Sequence, residues 1–282
     1  MQHLQGRVVE NRSLGGDLWL LRLQVPDLPP AQAGQFVHLE CGADLTLPRP
    51  FSILDSHPES QDIDLLYRVV GEGTRRMTGW QPGWVTPLLG PVGRPFTPPP
   101  AGMEAVLVAG GVGVAPLDFL ARTLVAQGVS VTLFLGMESE APWPLRQASA
   151  TETLEAGLAL AHLQSRGIAS RLASLTARPG WFTGYVTELA AAYLQRLPPD
   201  RRARCRLYTC GPLPMMAAVA RLAERFGLQG EAALEARMAC GFGGCAGCVV
   251  LIRAGEKGYY RRVCVDGPVF PLGDVDWQQQ GH

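Results

Sequence analysis

The 282-residue chain is predicted to be a β plus α/β multidomain protein: a small antiparallel β-barrel, a doubly wound parallel α/β domain and a C-terminal cysteine-rich module. Three observations predict it. Residues 1–98 carry short apolar segments broken by turn signals, the pattern of an antiparallel barrel. Past the run Pro98-Pro99-Pro100, apolar strands alternate with helical patterns, as in a parallel sheet with helices on its faces. From about residue 232 the chain becomes rich in Gly and Cys. The expected domains are 1–98, 101–231 and 232–282.

In the first domain the strand candidates are residues 18–25, 35–40 and 63–70, separated by turns such as Gly15-Gly16-Asp17 and Pro29-Pro30. In the second, residues 104–109 make a continuous apolar strand, followed by a glycine turn and a helix over 116–127. Strand 130–135, a helical pattern over 148–166, strand 169–175 and helix 187–196 come next. Strand 204–210 and helix 213–226 complete the alternation. Residues 138–181 carry no recognisable motif, and no internal repeat is present.

Hydrophobic residues make up 47% of the chain, enough for a sizeable core. No apolar run reaches the ~18 residues of a membrane helix. Residues 1–10 lack the apolar stretch of a secretory signal, so a cytoplasmic location is expected. Lys plus Arg and Asp plus Glu both number 25, and a net charge of zero argues against nucleic acid or an anionic membrane as partner. With 33 Gly and 23 Pro, many tight turns and backbone-lined pockets are expected.

Of the seven cysteines, four cluster near the C-terminus, which makes a poor disulfide framework and points to metal or catalysis. Cys41 and Cys205 read as small buried hydrophobes. The clustered four are spaced Cys240-x4-Cys245-x2-Cys248-x15-Cys264. This is the spacing of plant-type [2Fe–2S] sites. Three thiolates converge from one tight loop only if its backbone folds inward. Gly241, Gly243, Gly244 and Gly247 occupy the intervening positions, where side chains would crowd the sulfurs. A structural zinc site is the alternative, although zinc usually takes paired C-x2-C knuckles and only one such pair occurs.

Two further constellations carry chemistry. Arg49-Pro50-Phe51-Ser52 is followed by Leu66-Tyr67-Arg68 and then by Gly71-Glu72-Gly73-Thr74. An anionic pyrophosphate needs an Arg, a hydroxyl and free backbone N–H groups; an isoalloxazine ring needs an apolar face with a few polar edge contacts. The series supplies both, so FAD is the expected ligand; singly, R-P-F-S also reads as a strand end with a surface Arg. The second constellation is Gly110-Gly111-Val112-Gly113-Val114-Ala115-Pro116, a glycine turn between strand and helix. Its glycines suit close approach to a phosphate or a nicotinamide, and helix N-termini favour anions. Cys210-Gly211-Pro212 closes a later strand, where ligands bind in open α/β sheets. Gly110, Gly111, Gly113, Pro116, Cys210, Gly211 and Pro212 are the expected NAD contacts. Each turn alone also reads as a tight strand-to-helix connection, and Cys210 also reads as a core thiol. Met215 and Met216 read as helix packing.

R-P-x-S ahead of a G-x-G-T turn in a small barrel resembles the ferredoxin–NADP reductase superfamily. In that resemblance the turn Gly90-Pro91-Val92-Gly93 ends the flavin domain, and Cys210 lies near the hydride path between nicotinamide and flavin. Barrel, nucleotide domain and ferredoxin-type loop in this order resemble one branch over nearly the whole chain. That branch comprises the electron-transfer subunits of bacterial, NAD-dependent class 1B dihydroorotate dehydrogenases. The segments carrying this are Glu235-Ala236-Arg237-Met238-Ala239-Cys240-Gly241 and Val263-Cys264-Val265-Asp266-Gly267-Pro268-Val269-Phe270. A related branch, in ferredoxin-linked NADP oxidoreductases and sulfide dehydrogenases, typically has Asp as first ligand where this chain has Cys240.

The resemblance implies a relay. Electrons leave the FMN of a separate dihydroorotate-oxidising catalytic subunit, cross the [2Fe–2S] cluster, collect on FAD and reduce NAD+, in the synthesis of UMP. It implies a heterotetramer of two catalytic and two relay subunits. Phe242 and Phe270 are candidates to flank the cluster. Relatives often carry an acidic, glycine-containing stretch before a G-x-V-T segment. Here Thr176-Ala177-Arg178-Pro179-Gly180 precedes Gly184-Tyr185-Val186-Thr187, which leaves nucleotide contacts and NAD versus NADP preference open; Arg178 is a candidate to meet a 2′-phosphate, though it reads first as a solvated side chain. The other readings are a stand-alone NAD(P)H reductase and a non-catalytic iron–sulfur or zinc assembly module.

Overall fold

The computed structural model describes residues 2–42, 44–148, 157–254 and 257–278. The chain divides into two compact units, one of Met1–Phe96 with Ala233–Val269 and the other of Thr97–Ala232 with Phe270–Trp277.

In the first unit six strands close into an antiparallel barrel: β1 (Gln2–Gly15), β2 (Leu18–Gln24), β3 (Phe36–Leu39), β4 (Arg49–His57), β5 (Asp62–Arg68) and β6 (Val85–Val92), in the order β1-β2-β5-β4-β3-β6. The long β1 supplies the closure. Its second half pairs with β2 and its first half with β6. Gly15 and Gly16, at φ of 109° and 55°, make the turn into β2 that the sequence signals. Leu21, Leu23, Val37, Leu39, Ile53, Ile63 and Leu65 are fully buried. A short helix, α1 (Glu72–Met77), follows β5.

Gly90-Pro91-Val92-Gly93 departs from its expected turn: Gly90 to Val92 end β6, and only Gly93, at φ 87°, leaves the strand. The reason is packing. A Cβ on Gly90 would lie 2.8 Å from Val37 Cγ1, so this glycine lets β6 approach β3.

In the second unit, β7 (Glu104–Gly110), β8 (Val131–Gly136), β11 (Ala169–Ser174), β12 (Phe182–Thr183), β13 (Cys205–Cys210), β14 (Gln229–Ala233) and β17 (Val269–Pro271) form one sheet in the order β12-β11-β8-β7-β13-β14-β17. Strands β12, β11, β8, β7 and β13 run parallel to one another. The helices α2 (Val114–Ala126), α4 (Val186–Arg196) and α6 (Leu213–Phe226) pack on this sheet. Helix α6 starts with Pro214 in its first turn and stops at Gly227, whose φ of 65° suits glycine. A one-turn helix, α5 (Pro199–Arg202), precedes β13.

The helix expected over 148–166 is not continuous through residues 157–160, which run into a strand. Among the described residues of that span, β10 (Leu158–Leu160) pairs antiparallel with β9 (Leu145–Gln147), and α3 (Ala161–Gln164) is helical. Residues 149–156 of that expected helix lie outside the described residues. The apolar spacing that suggests a helix serves strand pairing here: Leu160 and Ala159 are buried, and Leu160 N donates to Ser170 Oγ at the edge of β11.

Candidate metal centre and nucleotide sites

Cys240, Cys245 and Cys248 lie on a loop of bends and turns after β14, and Cys264 on a turn after a hairpin of β15 (Val249–Ala254) and β16 (Lys257–Arg262). All four belong to the barrel unit. The hairpin returns the chain so that Val263 N donates to Cys248 O at 2.8 Å. The Cys248 and Cys264 sulfurs are 3.3 Å apart and both are buried. The Cys240 thiol meets that of Cys245, which is exposed. The sulfurs thus form two pairs. The one group of three ligating atoms within 4.8 Å of one another, among the described residues, is Asp55, His57 and Asp64, not any three of these cysteines. A zinc ion needs four sulfurs about one centre at ~2.3 Å. Two sulfurs on each of two irons matches the observed pairing, so the residues present fit a binuclear cluster. The Asp55–His57–Asp64 group already serves Arg22, which donates to both Asp64 oxygens at 2.6 and 2.8 Å.

The loop's electrostatics differ between the pairs. Burial opposes ionisation of Cys240, but the N–H groups of Cys245, Phe242 and Gly244, with the Cys245 thiol, prevail and bring it to about 7. Burial and the adjacent Cys248 thiol push Cys264 up to about 12. Arg262 donates to Gly243 O at 3.1 Å and to Asp266 at 3.2 Å, and Asp266 also accepts the Arg262 N–H. These bonds tie the turn bearing Cys264 to the loop bearing the other three.

The barrel constellation also assembles. Arg49, Pro50, Phe51 and Ser52 open β4; Leu66, Tyr67 and Arg68 close β5; Gly73 and Thr74 lie in α1. A Cβ on Gly73 would lie 3.2 Å from Cys41 Cβ and 3.7 Å from Arg49 Cγ, so α1 sits against the start of β4. Thr74 Oγ1 donates to Gly71 O at 3.1 Å and accepts from Val70 N and Gly71 N, fixing the glycine turn. The Phe51 and Tyr67 rings meet edge to face at 6.2 Å, and Tyr67 donates to Asn11 Oδ1 at 3.1 Å. Arg49 donates to the Leu47 and Pro48 carbonyls, and Arg68 pairs with Asp17 at 3.1 Å. Leu66 is buried, Ser52 half-buried and Pro50 exposed.

At the second unit's sheet edge the two glycine turns touch. β7 and β13 are neighbours, with Cys210 opposite Ala109. From β7 the chain winds outward through β8 and β11, while β13 and β14 lie on its other side, so their junction is the topological switch point. A Cβ on Gly113 would lie 2.4 Å from Cys210 O, and one on Gly211 2.8 Å from Gly110 N. These glycines let backbone meet backbone, and Pro212 lies against Gly110, with its Cδ 2.6 Å from where a Gly110 Cβ would be. Cys210 is buried at the end of β13.

Some residues escaped the sequence reading. His38 on β3 is buried, and a Cβ on Gly241 would lie 2.6 Å from its Nδ1. Burial holds its pKa down against the pull of the Pro48 carbonyl. Its signal is a polar residue inside the apolar run Phe36–Leu39. Met215 places Sδ where a Gly110 Cβ would go, at 2.7 Å, so it covers the strand end as well as packing its helix. Arg178, half-buried, is more tied down than a solvated side chain: it donates to the carbonyls of Glu138 and Ser139 and stacks over Trp181 at 5.2 Å. Phe242 is exposed on the cysteine loop, whereas Phe270 is buried in β17 of the other unit.

Comparison with known proteins follows the same division. Residues 235–276 match the iron-sulfur cluster binding domain of dihydroorotate dehydrogenase B, and residues 107–221 match the oxidoreductase NAD-binding domain. The dihydroorotate dehydrogenase B (NAD(+)) electron transfer subunit of Shouchella clausii is 38% identical over 87% of this chain and 86% of its own. That of Bacillus mycoides is 33% identical over 98% of this chain and 99% of its own. Among solved structures, an NADH-dependent reduced ferredoxin-NADP oxidoreductase superposes with a TM-score of 0.81 at 24% identity, covering 97% of this chain and 90% of that one, a likeness of fold. With the family model on its cysteine module and these identities along nearly its full length, the chain belongs to the family of dihydroorotate dehydrogenase B (NAD(+)) electron transfer subunits.

Proposed function

We propose that the chain passes electrons, taken from dihydroorotate by a separate FMN-bearing catalytic subunit, through a [2Fe–2S] cluster and FAD to NAD+, in the synthesis of UMP. The observation that carries this reading is the two-by-two pairing of thiols in the same compact unit as the R-P-F-S constellation. Cys240 and Cys245 would hold one iron, Cys248 and Cys264 the other. When bound, the cluster exchanges single electrons and the flavin gathers two for hydride transfer.

The chain's own residues prepare the sites. N–H groups of Phe242, Gly244 and Cys245 stabilise negative charge on the Cys240 sulfur, which suits thiolate ligation. The buried Cys248–Cys264 pair excludes water from its side of the centre, while the exposed Cys245 leaves the other side open to a partner. Arg49, Pro50, Phe51 and Ser52, with Leu66, Tyr67, Arg68, Gly73 and Thr74, form the flavin surface. Gly110, Gly111, Gly113 and Pro116 receive the NAD pyrophosphate at the start of the 13-residue α2. Cys210, Gly211 and Pro212 border the nicotinamide, with Cys210 nearest the hydride path. The assembly takes two catalytic and two relay subunits.

The test is co-expression with the FMN-bearing dihydroorotate dehydrogenase subunit. Purified under anaerobic conditions, the two chains should elute together with flavin and iron–sulfur absorption bands, and dihydroorotate should elicit the paramagnetic signal of a reduced [2Fe–2S] centre. A chain that reconstitutes neither chromophore, or that never co-elutes, rejects the proposal.

A further inference from the structure

We infer that His38 is a further residue of the metal centre: from its place on the barrel it donates a hydrogen bond through Nε2 to a sulfur of the cluster that the cysteine loop holds. The inference rests on the reading of the four cysteines as cluster ligands and adds to it a group that is not itself a ligand.

The barrel places His38 between the two redox sites. The R-P-F-S segment opens β4 and Leu66-Tyr67-Arg68 closes β5, while β3 is the other neighbour of β4. His38, on β3, is the register partner of Pro50 on one side and of Leu89 in β6 on the other. Val37 and Leu39, before and after it, are fully buried in the barrel core. Successive strand side chains point to opposite faces, so His38 stands on the outer face. Its burial there comes from what covers the barrel, and the cysteine loop does so. A Cβ on Gly241 would lie 2.6 Å from His38 Nδ1 and 3.3 Å from Leu89 Cδ2, and Gly241 directly follows Cys240.

His38 is 2% exposed, and among the described residues its Nε2 has no hydrogen-bond partner. The Pro48 carbonyl also draws on the ring but closes no bond to Nε2. Buried polar atoms are paired with few exceptions, and a leucine would fill such a place without the cost of an unpaired nitrogen. The loop that covers the ring supplies the partner. Iron-bound sulfur is an acceptor only, so the bond fixes the ring proton on Nε2. Hydrogen bonds to the sulfurs are one lever on a cluster's reduction potential. The bond strengthens as the cluster takes an electron and its negative charge grows, so His38 favours the reduced form. Because the donor belongs to the barrel, only a docked loop gains it.

The experiment uses full-length protein loaded with flavin and cluster and made with isotopically labelled histidine nitrogen. Pulsed paramagnetic resonance of the reduced wild-type cluster should show coupling to a histidine nitrogen, and His38→Leu should abolish it. In a potentiometric titration His38→Leu should lower the cluster midpoint by about 59 mV, a tenfold change for one electron, and leave the flavin midpoint in place. His38→Gln, which keeps an N–H near the Nε2 position, should return most of that shift. A wild-type cluster signal without histidine coupling overturns the inference by itself, whether or not the variants hold iron. A His38→Leu midpoint within about twofold of wild type in equilibrium terms, or a shift that His38→Gln does not reverse, also overturns it and makes His38 a packing residue. Failure of the ligand reading registers differently: the wild type would then give no cluster signal at all, and the inference would fall with it.

Discussion

Gly241→Ala tests how the cysteine loop is seated. Gly241 adopts φ 71°, where an L-residue is strained by about 1–2 kcal/mol. A Cβ there would also lie 2.6 Å from His38 Nδ1, 3.1 Å from His38 Cγ and 3.3 Å from Leu89 Cδ2. His38 and Leu89 are register partners on β3 and β6 and are buried, so neither retreats freely. Overpacking of this kind costs about 1–3 kcal/mol, so the loop should lose about 2–5 kcal/mol of docking free energy in all. At about 1.4 kcal/mol per factor of ten, loop amides should then exchange with deuterated solvent at least tenfold faster, and bound iron should fall. Gly16→Ala is the control: φ is 55° but no atom lies within 4 Å of the new Cβ, so strain comes without a clash and far from the loop. Adding His38→Ala to Gly241→Ala should recover the clash portion and leave the strain. If Gly241→Ala matched wild type in loop exchange and iron content, the loop would not rest on β3 as described.

Three further outcomes follow from other contacts. Gly211→Ala puts a methyl within 2.9 Å of Gly110 backbone atoms, so NADH-driven flavin reduction should be lost while iron content stays at the wild-type level. In cluster-free protein Cys240 should alkylate with a half-maximal rate near pH 7, because thiolate forms above the pKa, whereas Cys264, held near 12, should stay unlabelled at pH 8; peptide mass spectrometry reads both. For Asp64, burial raises the pKa but hydrogen bonds from Arg22 and His57 overcome it and hold it below the ordinary value, so its stabilisation is present above the unfolded pKa and is lost as pH falls through the folded one. Asp64→Asn should therefore cost about 2–3 kcal/mol at neutral pH and flatten the acid limb of barrel stability, measured by exchange of β2 and β5 amides.

The legible parts of the chain were those whose signal is local. The Cys240-x4-Cys245-x2-Cys248 spacing lies within nine residues, the glycine turns sit at strand ends, and α6 runs from Leu213 to Phe226 as its apolar period implies. What was missed depends on partners far along the chain. The apolar pattern over 148–166 cannot tell a helix from β9 pairing with β10, since either buries Leu160. Nothing near Gly241 announces His38, which lies about two hundred residues earlier and meets it only through the packing of loop on barrel. The hydrogen bond from Ser174 Oγ to Glu138 spans two strand ends in the same way. Gly90 illustrates the converse: a glycine in a Gly-Pro pair looks like a turn until Val37 is seen beside it. The return of Phe270–Trp277 to the second unit was likewise invisible, because β17 finds its place beside β14 in a sheet assembled from distant strands.

The central claim is that the four cysteines stand in the electron path and not merely in the fold. Cys264→Ser in the purified complex with the catalytic subunit tests it most directly, by measuring dihydroorotate-driven NAD+ reduction beside NADH-driven dye reduction in one preparation. The account predicts that the first falls to background while the second, and the FAD content, stay at wild-type levels. Retention of both activities without a cluster would contradict it, and so would loss of both together with the flavin, which would make Cys264 a structural residue.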